Sequence, residues 1–228
     1  MLVSEIYSSR QGEGRLTGQP SIFVRTSGCN LRCHFCDTPF TSWKPEGKST
    51  SIPVLLDQIE KMEPKHVVLT GGEPMLPPTI AELTQQLHKR KYHITIETSG
   101  TVFREVQCDL MSISPKLKNS TPSLSRAGGW TQRHEASRHR PDVVTQLIEQ
   151  HDYQLKFVVS HPDDLEEIEQ YLELLPPINR RQVLLMPEGI EATQLAKREE
   201  WLLPLCEDHQ FSYCPRMHIQ WYGNKRGT

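Results

Sequence analysis

PSIFVRTSGCNLRCHFCDT, residues 20 to 38, begins as a strand and ends as a ligand loop. Ile22, Phe23 and Val24 are β-branched or aromatic, and Gly28 interrupts the run, so the cysteines follow a strand end. Cys29, Cys33 and Cys36 have the spacing C-x3-C-x2-C, and no second C-x2-C pair occurs in the chain. Tetrahedral zinc usually takes four ligands from two such pairs, and His34, inside the loop, is badly placed to be the fourth. Thiolates also suit iron-sulfur clusters, and three cysteines on a four-iron cluster leave one iron open. An open metal position implies chemistry with a small molecule, as it does in catalytic zinc sites.

Outward from this loop, strands are predicted at 65–74 (KHVVLTGGEP), 92–97, 109–114, 153–160 and 181–187. Helices are predicted at 51–62, 79–90, 141–150, 162–175 and 192–209. In the first of these, Ile52, Leu55, Leu56 and Ile59 fall at helical spacing behind Ser51 and Pro53. The acids of 162–175 surround a stripe of Leu165, Ile168, Leu172 and Leu175 and read as a solvated face. Alternating strands and helices define an α/β protein with a parallel sheet, and about six units are too few for a closed eight-unit barrel. The expected fold is an incomplete (βα)6-like partial TIM barrel, with its site at the C-terminal strand ends. Without further information QGEG, at 11–14, reads as a flexible turn.

The 228 residues fit a single domain, 1–228. Segment 116–140 has no apolar period and carries six Lys or Arg against one Glu, which predicts a mobile or lid loop. Only Trp130 is available there for base stacking, and the net charge of −2 gives no nucleic-acid signature. Cys108, Cys206 and Cys214 are scattered, an improbable layout for a disulfide framework. Neither a signal-peptide pattern nor an apolar run of membrane length occurs, so a cytoplasmic protein is expected, with no membrane partner.

A cysteine triplet after a strand, followed about 35 residues on by a strand ending in GGEP, resembles the radical S-adenosylmethionine (SAM) enzymes. The resemblance implies that Cys29, Cys33 and Cys36 hold a [4Fe-4S] cluster whose fourth iron is chelated by the methionine part of SAM. Three further stretches, SRQGEG at 9–14, FVRTSGCNLRCHFCDT at 23–38 and YGNKRG at 222–227, resemble the 7-carboxy-7-deazaguanine synthase family. That family converts 6-carboxy-5,6,7,8-tetrahydropterin to 7-carboxy-7-deazaguanine with loss of ammonia, on the route to queuosine. The resemblance implies that a 5'-deoxyadenosyl radical takes the C6 hydrogen and returns it after ring contraction, so that SAM acts catalytically.

By the same resemblance, Phe35, Cys36, Asp37, Gly72, Glu73, Ser114, Pro115 and Lys116 contact SAM. Arg10, Gln11, Gly12, Arg25 and Thr70 contact the pterin, with Glu13 a further candidate, and Arg25 suits a carboxylate. Thr38 would contribute to a Mg²⁺ that also touches the substrate. Met186, Pro187 and Glu188 end a strand near the implied adenine position, while Lys156 faces either inward or outward. No terminal-residue contact is carried onto Thr228. A flavodoxin- or ferredoxin-type electron donor and a homodimer complete the implied picture. Competing readings are a glycyl-radical activating enzyme, which shares the cysteine spacing, and a non-catalytic metal-binding or RNA-contacting module.

Overall fold

The computed structural model describes residues 1–228. One nine-stranded sheet runs in the order β3-β1-β2-β4-β5-β6-β7-β8-β9. Its strands are β1 (Leu2–Arg10), β2 (Pro20–Thr26), β3 (Lys48–Ser49), β4 (His66–Gly71), β5 (His93–Thr98), β6 (Leu110–Ile113), β7 (Tyr153–Val159), β8 (Val183–Pro187) and β9 (Ser212–Tyr213). From β2 to β9 every neighbour is parallel, whereas β1 and β3 are antiparallel additions at one edge. The order ends at β3 and β9, so the sheet is an open barrel, with six parallel strands of four residues or more at its centre.

The helices are α1 (Pro39–Ser42), α2 (Ile52–Glu60), α3 (Ile80–Lys89), α4 (Leu124–Ala127), α5 (Trp130–Arg138), α6 (Pro141–Gln150), α7 (Asp164–Glu173), α8 (Ala192–Asp208) and α9 (Met217–Tyr222). All five helices expected from apolar spacing are present, as are the six strands. The N-terminal stretch differs from expectation: β1 is a nine-residue strand paired along β2.

Strand alternation divides the sheet into two chemistries. Ile22, Val24, Val67, Leu69, Ile94, Ile96, Met111, Ile113, Leu155 and Phe157 face the helices and build one core of 36 buried residues. The opposite parity faces the barrel interior and is largely polar. Near the N-terminal strand ends, His66 is held between Ser21 Oγ and Thr95 Oγ1, each at 2.8 Å. Toward the C-terminal ends, the register aligns Arg25 with Thr70, Glu97 with Ser112 and Ser112 with Gln154. Within that upper row Thr70 Oγ1 donates to Glu97 at 2.9 Å and Gln154 Nε2 donates to Ser112 Oγ at 2.8 Å.

The expectation of a loop at 116–140 is corrected by the structure. This segment contains α4, α5 and a 3-10 turn at Lys118–Ser120. Apolar periodicity missed it because α5 buries polar side chains instead: His134 is fully buried and Arg138 nearly so. Arg138 is tied to Glu135 and Glu167 at 3.0 Å each.

Candidate active site

A cavity of about 480 Å³ opens at the C-terminal ends of the strands. It receives the cysteine loop after β2, Gly72 after β4, Ser99 after β5, Ser114 and Lys116 after β6, and Glu188 after β8. Placement at strand ends is general to such sheets, because there the connecting loops are free to vary.

Cys29, Cys33 and Cys36 all line this cavity, and none is in a disulfide. Burial pushes all three thiols up, Cys33 to about 12, so that in the bare protein they hold their protons. A cationic iron core reverses that preference, since coordination deprotonates a thiol outright. Donors stand ready for the resulting thiolates: Leu31 N–H reaches Cys29 Sγ at 3.4 Å, and Ser42 Oγ lies 3.1 Å from Cys36 Sγ. His34 is not among the residues that line the cavity, so it is not placed to join the three cysteines as a fourth ligand. Three thiols lining one cavity suit an iron-sulfur cluster that keeps one position open.

The backbone leaves room for little else beside the loop. A Cβ on Gly72 would collide with Gly28 O and stand 2.8 Å from Thr41 O. Gly28 N–H bonds Thr41 O at 2.8 Å, and Glu73 N–H bonds Gly28 O at 2.9 Å, so the GGEP turn is fastened to the base of the cysteine loop. Gly72 therefore presents bare backbone to the cavity.

Glu73 does not line the cavity. Its fully buried carboxylate accepts from Thr98 Oγ1 at 2.6 Å, Ser99 N–H at 2.8 Å, Ser99 Oγ at 2.5 Å and Met75 N–H at 3.1 Å. It fixes the turns after β4 and β5. Pro115 and Pro187 also lie outside the lining, whereas Phe35, Asp37, Thr38, Ser114, Lys116, Met186 and Glu188 belong to it. Lys116 Nζ donates to Ser114 O at 2.7 Å, and burial lowers its pKa.

The same cavity gathers Arg10, Gln11, Gly12, Glu13, Arg25 and Thr70. Gln11 Nε2 donates to Glu97 at 3.0 Å, beside the bond from Thr70. Arg25 is bonded to Glu5 Oε2 at 3.0 Å and Tyr7 Oη at 2.8 Å, and its Nη1 makes no protein hydrogen bond. That nitrogen is the part of the guanidinium left for a ligand.

QGEG is packed rather than flexible. Gly14 N–H bonds Cys214 Sγ at 3.1 Å, Arg15 N–H bonds Gln154 Oε1 at 3.0 Å, and Met217 N–H bonds Gly12 O at 2.9 Å. The stretch thus carries the chain from β1 across the barrel mouth to β7 and α9. A Cβ at Gly12 would stand 2.6 Å from His218 Cβ and Nδ1. Gly12→Ala is expected to cost about 1–3 kcal/mol by overpacking and to raise KM; urea denaturation and steady-state kinetics check both.

Lys156 points inward and pairs with Glu13, which also meets Arg216 at 3.2 Å; Arg216 in turn pairs with Asp37. Burial would raise the Glu13 carboxyl, but Lys156 and Arg216 outweigh it and hold it well below the usual carboxylate range. The same balance lowers Asp37, with Arg216 the chief cation. The network joins the residue after Cys36 to the QGEG stretch, β7 and the segment before α9.

Sequence reasoning missed Glu97, Arg216, His218 and residues 224–228, all of which line the cavity. Glu97 carried a usable signal, because His93, Thr95 and Glu97 alternate with Ile94 and Ile96 in β5. Arg216 carried none, its partners lying 179 and 203 residues away.

Residues 23–175 match the Radical SAM superfamily. The chain is a radical SAM protein, and the cofactors of that class, a [4Fe-4S] cluster and SAM, fit the three-cysteine wall and the bare GGEP backbone. Over its whole length it is 48% identical to the 7-carboxy-7-deazaguanine synthase of Rhodopirellula baltica, covering 89% of that protein. It is 42% identical, over 95% of its length and 88% of the relative, to the 7-carboxy-7-deazaguanine synthase of Halobacterium salinarum. The crystal structure of QueE from Escherichia coli superposes with a TM-score of 0.70 at 26% identity, covering 95% of this chain and 94% of that one. The structure of TYW1 shares the fold alone, at a TM-score of 0.59 and 17% identity, over 83% of this chain and 72% of that one. The chain belongs to the 7-carboxy-7-deazaguanine synthase family.

Proposed function

We propose that this chain converts 6-carboxy-5,6,7,8-tetrahydropterin to 7-carboxy-7-deazaguanine, releasing ammonia. The observation that carries the proposal is one cavity lined both by the three cysteines and by Gln11, Arg25, Thr70 and Glu97. When bound, the cluster and SAM supply the 5'-deoxyadenosyl radical that removes one substrate hydrogen and gives it back.

The chain's own residues hold and orient. Cys29, Cys33 and Cys36 would carry the cluster; Gly72, Ser114, Lys116, Phe35 and Asp37 would border SAM. The Gln11–Glu97–Thr70 row offers acceptors and donors suited to a pterin edge, and Arg25 offers Nη1 to its carboxylate. Arg10 and Gly12 complete the pterin-facing set; Pro115 joins the SAM-bordering residues Ser114 and Lys116, and Glu73 fixes the turns after β4 and β5. A polar site surrounded by low dielectric makes each such contact stronger and keeps water from a reactive intermediate.

Thr38 is the proposed protein ligand of Mg²⁺. Its hydroxyl lies at the cavity, 3.3 Å from Thr41 Oγ1, and a lone protein oxygen agrees with the way Mg²⁺ retains ligand oxygens and water. Thr38→Ala is expected to leave the cluster's absorbance intact while raising the Mg²⁺ needed for half-maximal rate roughly ten-fold. An unchanged Mg²⁺ titration would remove Thr38 from that role.

We further propose a homodimer in the cytoplasm, formed from a single domain 1–228 and reduced by a flavodoxin- or ferredoxin-type donor. A single continuous sheet supports the one-domain reading, and no helix is long and apolar enough to cross a membrane. Anaerobic incubation with the carboxytetrahydropterin, SAM, Mg²⁺ and reductant tests the reaction: deazaguanine and ammonia should rise together. SAM cleavage without deazaguanine would discard the substrate and retain the radical chemistry.

A further inference from the structure

The helical segment before α6 grips the cysteine loop through one buried ring. His134, fully buried on α5, accepts the Arg32 N–H on Nδ1 at 3.1 Å. Its Nε2 faces Ser120 Oγ at 2.9 Å, and that hydroxyl donates to Leu117 O at 2.6 Å. The Ser120 hydroxyl hydrogen is thereby committed, so Nε2 carries the proton and Nδ1 is the acceptor. Burial pushes the ring down to about 4, in keeping with this neutral tautomer.

Other contacts gather around the same bond. Ser120 O accepts His34 N–H at 2.9 Å, and the Arg32 guanidinium lies 3.8 Å over the Trp130 ring. Arg32 Nη1 returns to Cys29 O at 2.8 Å and Leu31 O at 2.7 Å. Both spans between the cysteines are therefore fastened to residues 118–134. Only the His134 bond takes an amide next to the Leu31 N–H, which points at Cys29 Sγ.

We propose that His134 is a positioning residue for the cluster: by holding the Arg32 amide it keeps the neighbouring Leu31 N–H on the Cys29 sulfur. Hydrogen bonds to cluster sulfurs are among the groups that set reduction potential, and partners behind metal ligands control how firmly the metal stays. The basic segment is accordingly a clamp on the ligand loop. This inference rests on the three cysteines holding the cluster and is independent of the substrate's identity.

The side-chain amides separate the two ring nitrogens. In His134→Asn, Oδ1 takes the place of Nδ1 and can still accept from Arg32; in His134→Gln, the amide reaches the Nε2 position and leaves Arg32 without an acceptor. The readouts are Arg32 amide hydrogen exchange in the cluster-free protein, chelator-driven iron release from reconstituted protein, and the cluster's midpoint potential, with apo-protein melting as the check on folding. The Asn variant should match the native chain within about two-fold, while the Gln variant should exchange Arg32 faster and lose iron roughly ten-fold faster. Its midpoint should move to more negative potential as the sulfur loses its donor.

Equal behaviour of the two variants, or a Gln variant with native iron retention and potential, would overturn the proposal. If either variant melts too low to load cluster, Arg32 exchange in the apo-protein below its melting point decides by the same comparison. A native chain that fails to bind three-cysteine iron would instead overturn the cluster assignment itself.

Discussion

Cys33→Ala protein binds no stable four-iron cluster and makes no deazaguanine, while remaining folded. The residue is only 9% exposed, and the nearby structural bond, from Trp43 Nε1 to Cys33 O at 3.0 Å, uses the backbone and survives. Trimming one sulfur at the cavity wall should cost about 1 kcal/mol, which shifts melting by only a few degrees in a chain of this size. Iron and sulfide analysis, visible absorbance and product mass are the measurements. Activity falls to the uncatalysed background, because a cluster held by two cysteines loses both its anchor and its open-iron geometry. Native activity in Cys33→Ala would be incompatible with the ligand assignment.

Glu13→Gln is expected to have the largest effect on stability. Its side chain is 13% exposed, and Lys156 and Arg216, which it pairs, are 6% exposed each. Removing the carboxylate leaves two nearly buried cations short of a counter-charge, a change that costs about 3–5 kcal/mol. Urea denaturation should show it, and adding Lys156→Met should recover part of the loss by removing one stranded cation. The pH dependence has a definite sign. Glu13 is depressed in the folded chain, so its stabilisation is complete above its unfolded pKa of about 4.5 and is lost as pH falls below that value. The acid limb of the stability profile should be flatter in Glu13→Gln than in the native chain. Identical acid limbs would mean that the Glu13 network contributes little.

Much of this molecule is written in local patterns, and the exceptions are physically consistent. Helices such as α2, with Ile52, Leu55, Leu56 and Ile59 buried, advertise themselves by apolar spacing because they pack on the sheet. Helix α5 does not, because it docks through polar contacts: His134 and Trp130 meet Arg32 of the cysteine loop, and Arg138 meets Lys116 O and Glu167. β1 alternates too weakly to announce itself, only Val3 being buried, and takes its order from antiparallel pairing with β2.

The site divides the same way. Cysteine spacing exposes the cluster wall because three ligands must come from one short loop. The QGEG glycines were legible only through resemblance, and their reason is tertiary: Gly12 is pressed against His218, and Gly14, at φ +74°, against Gln154. Lys156 could not be oriented from β7 alone, since both faces of that strand are buried. Its direction follows from Glu13, 143 residues earlier.

In the proposed radical cycle hydrogen leaves the pterin and comes back, so SAM is regenerated. The deciding quantity is the molar ratio of deazaguanine formed to SAM consumed, measured by mass spectrometry on anaerobically reconstituted protein under limiting SAM. Many products per SAM lost is the expected outcome. One SAM destroyed for each product formed would rule the cycle out.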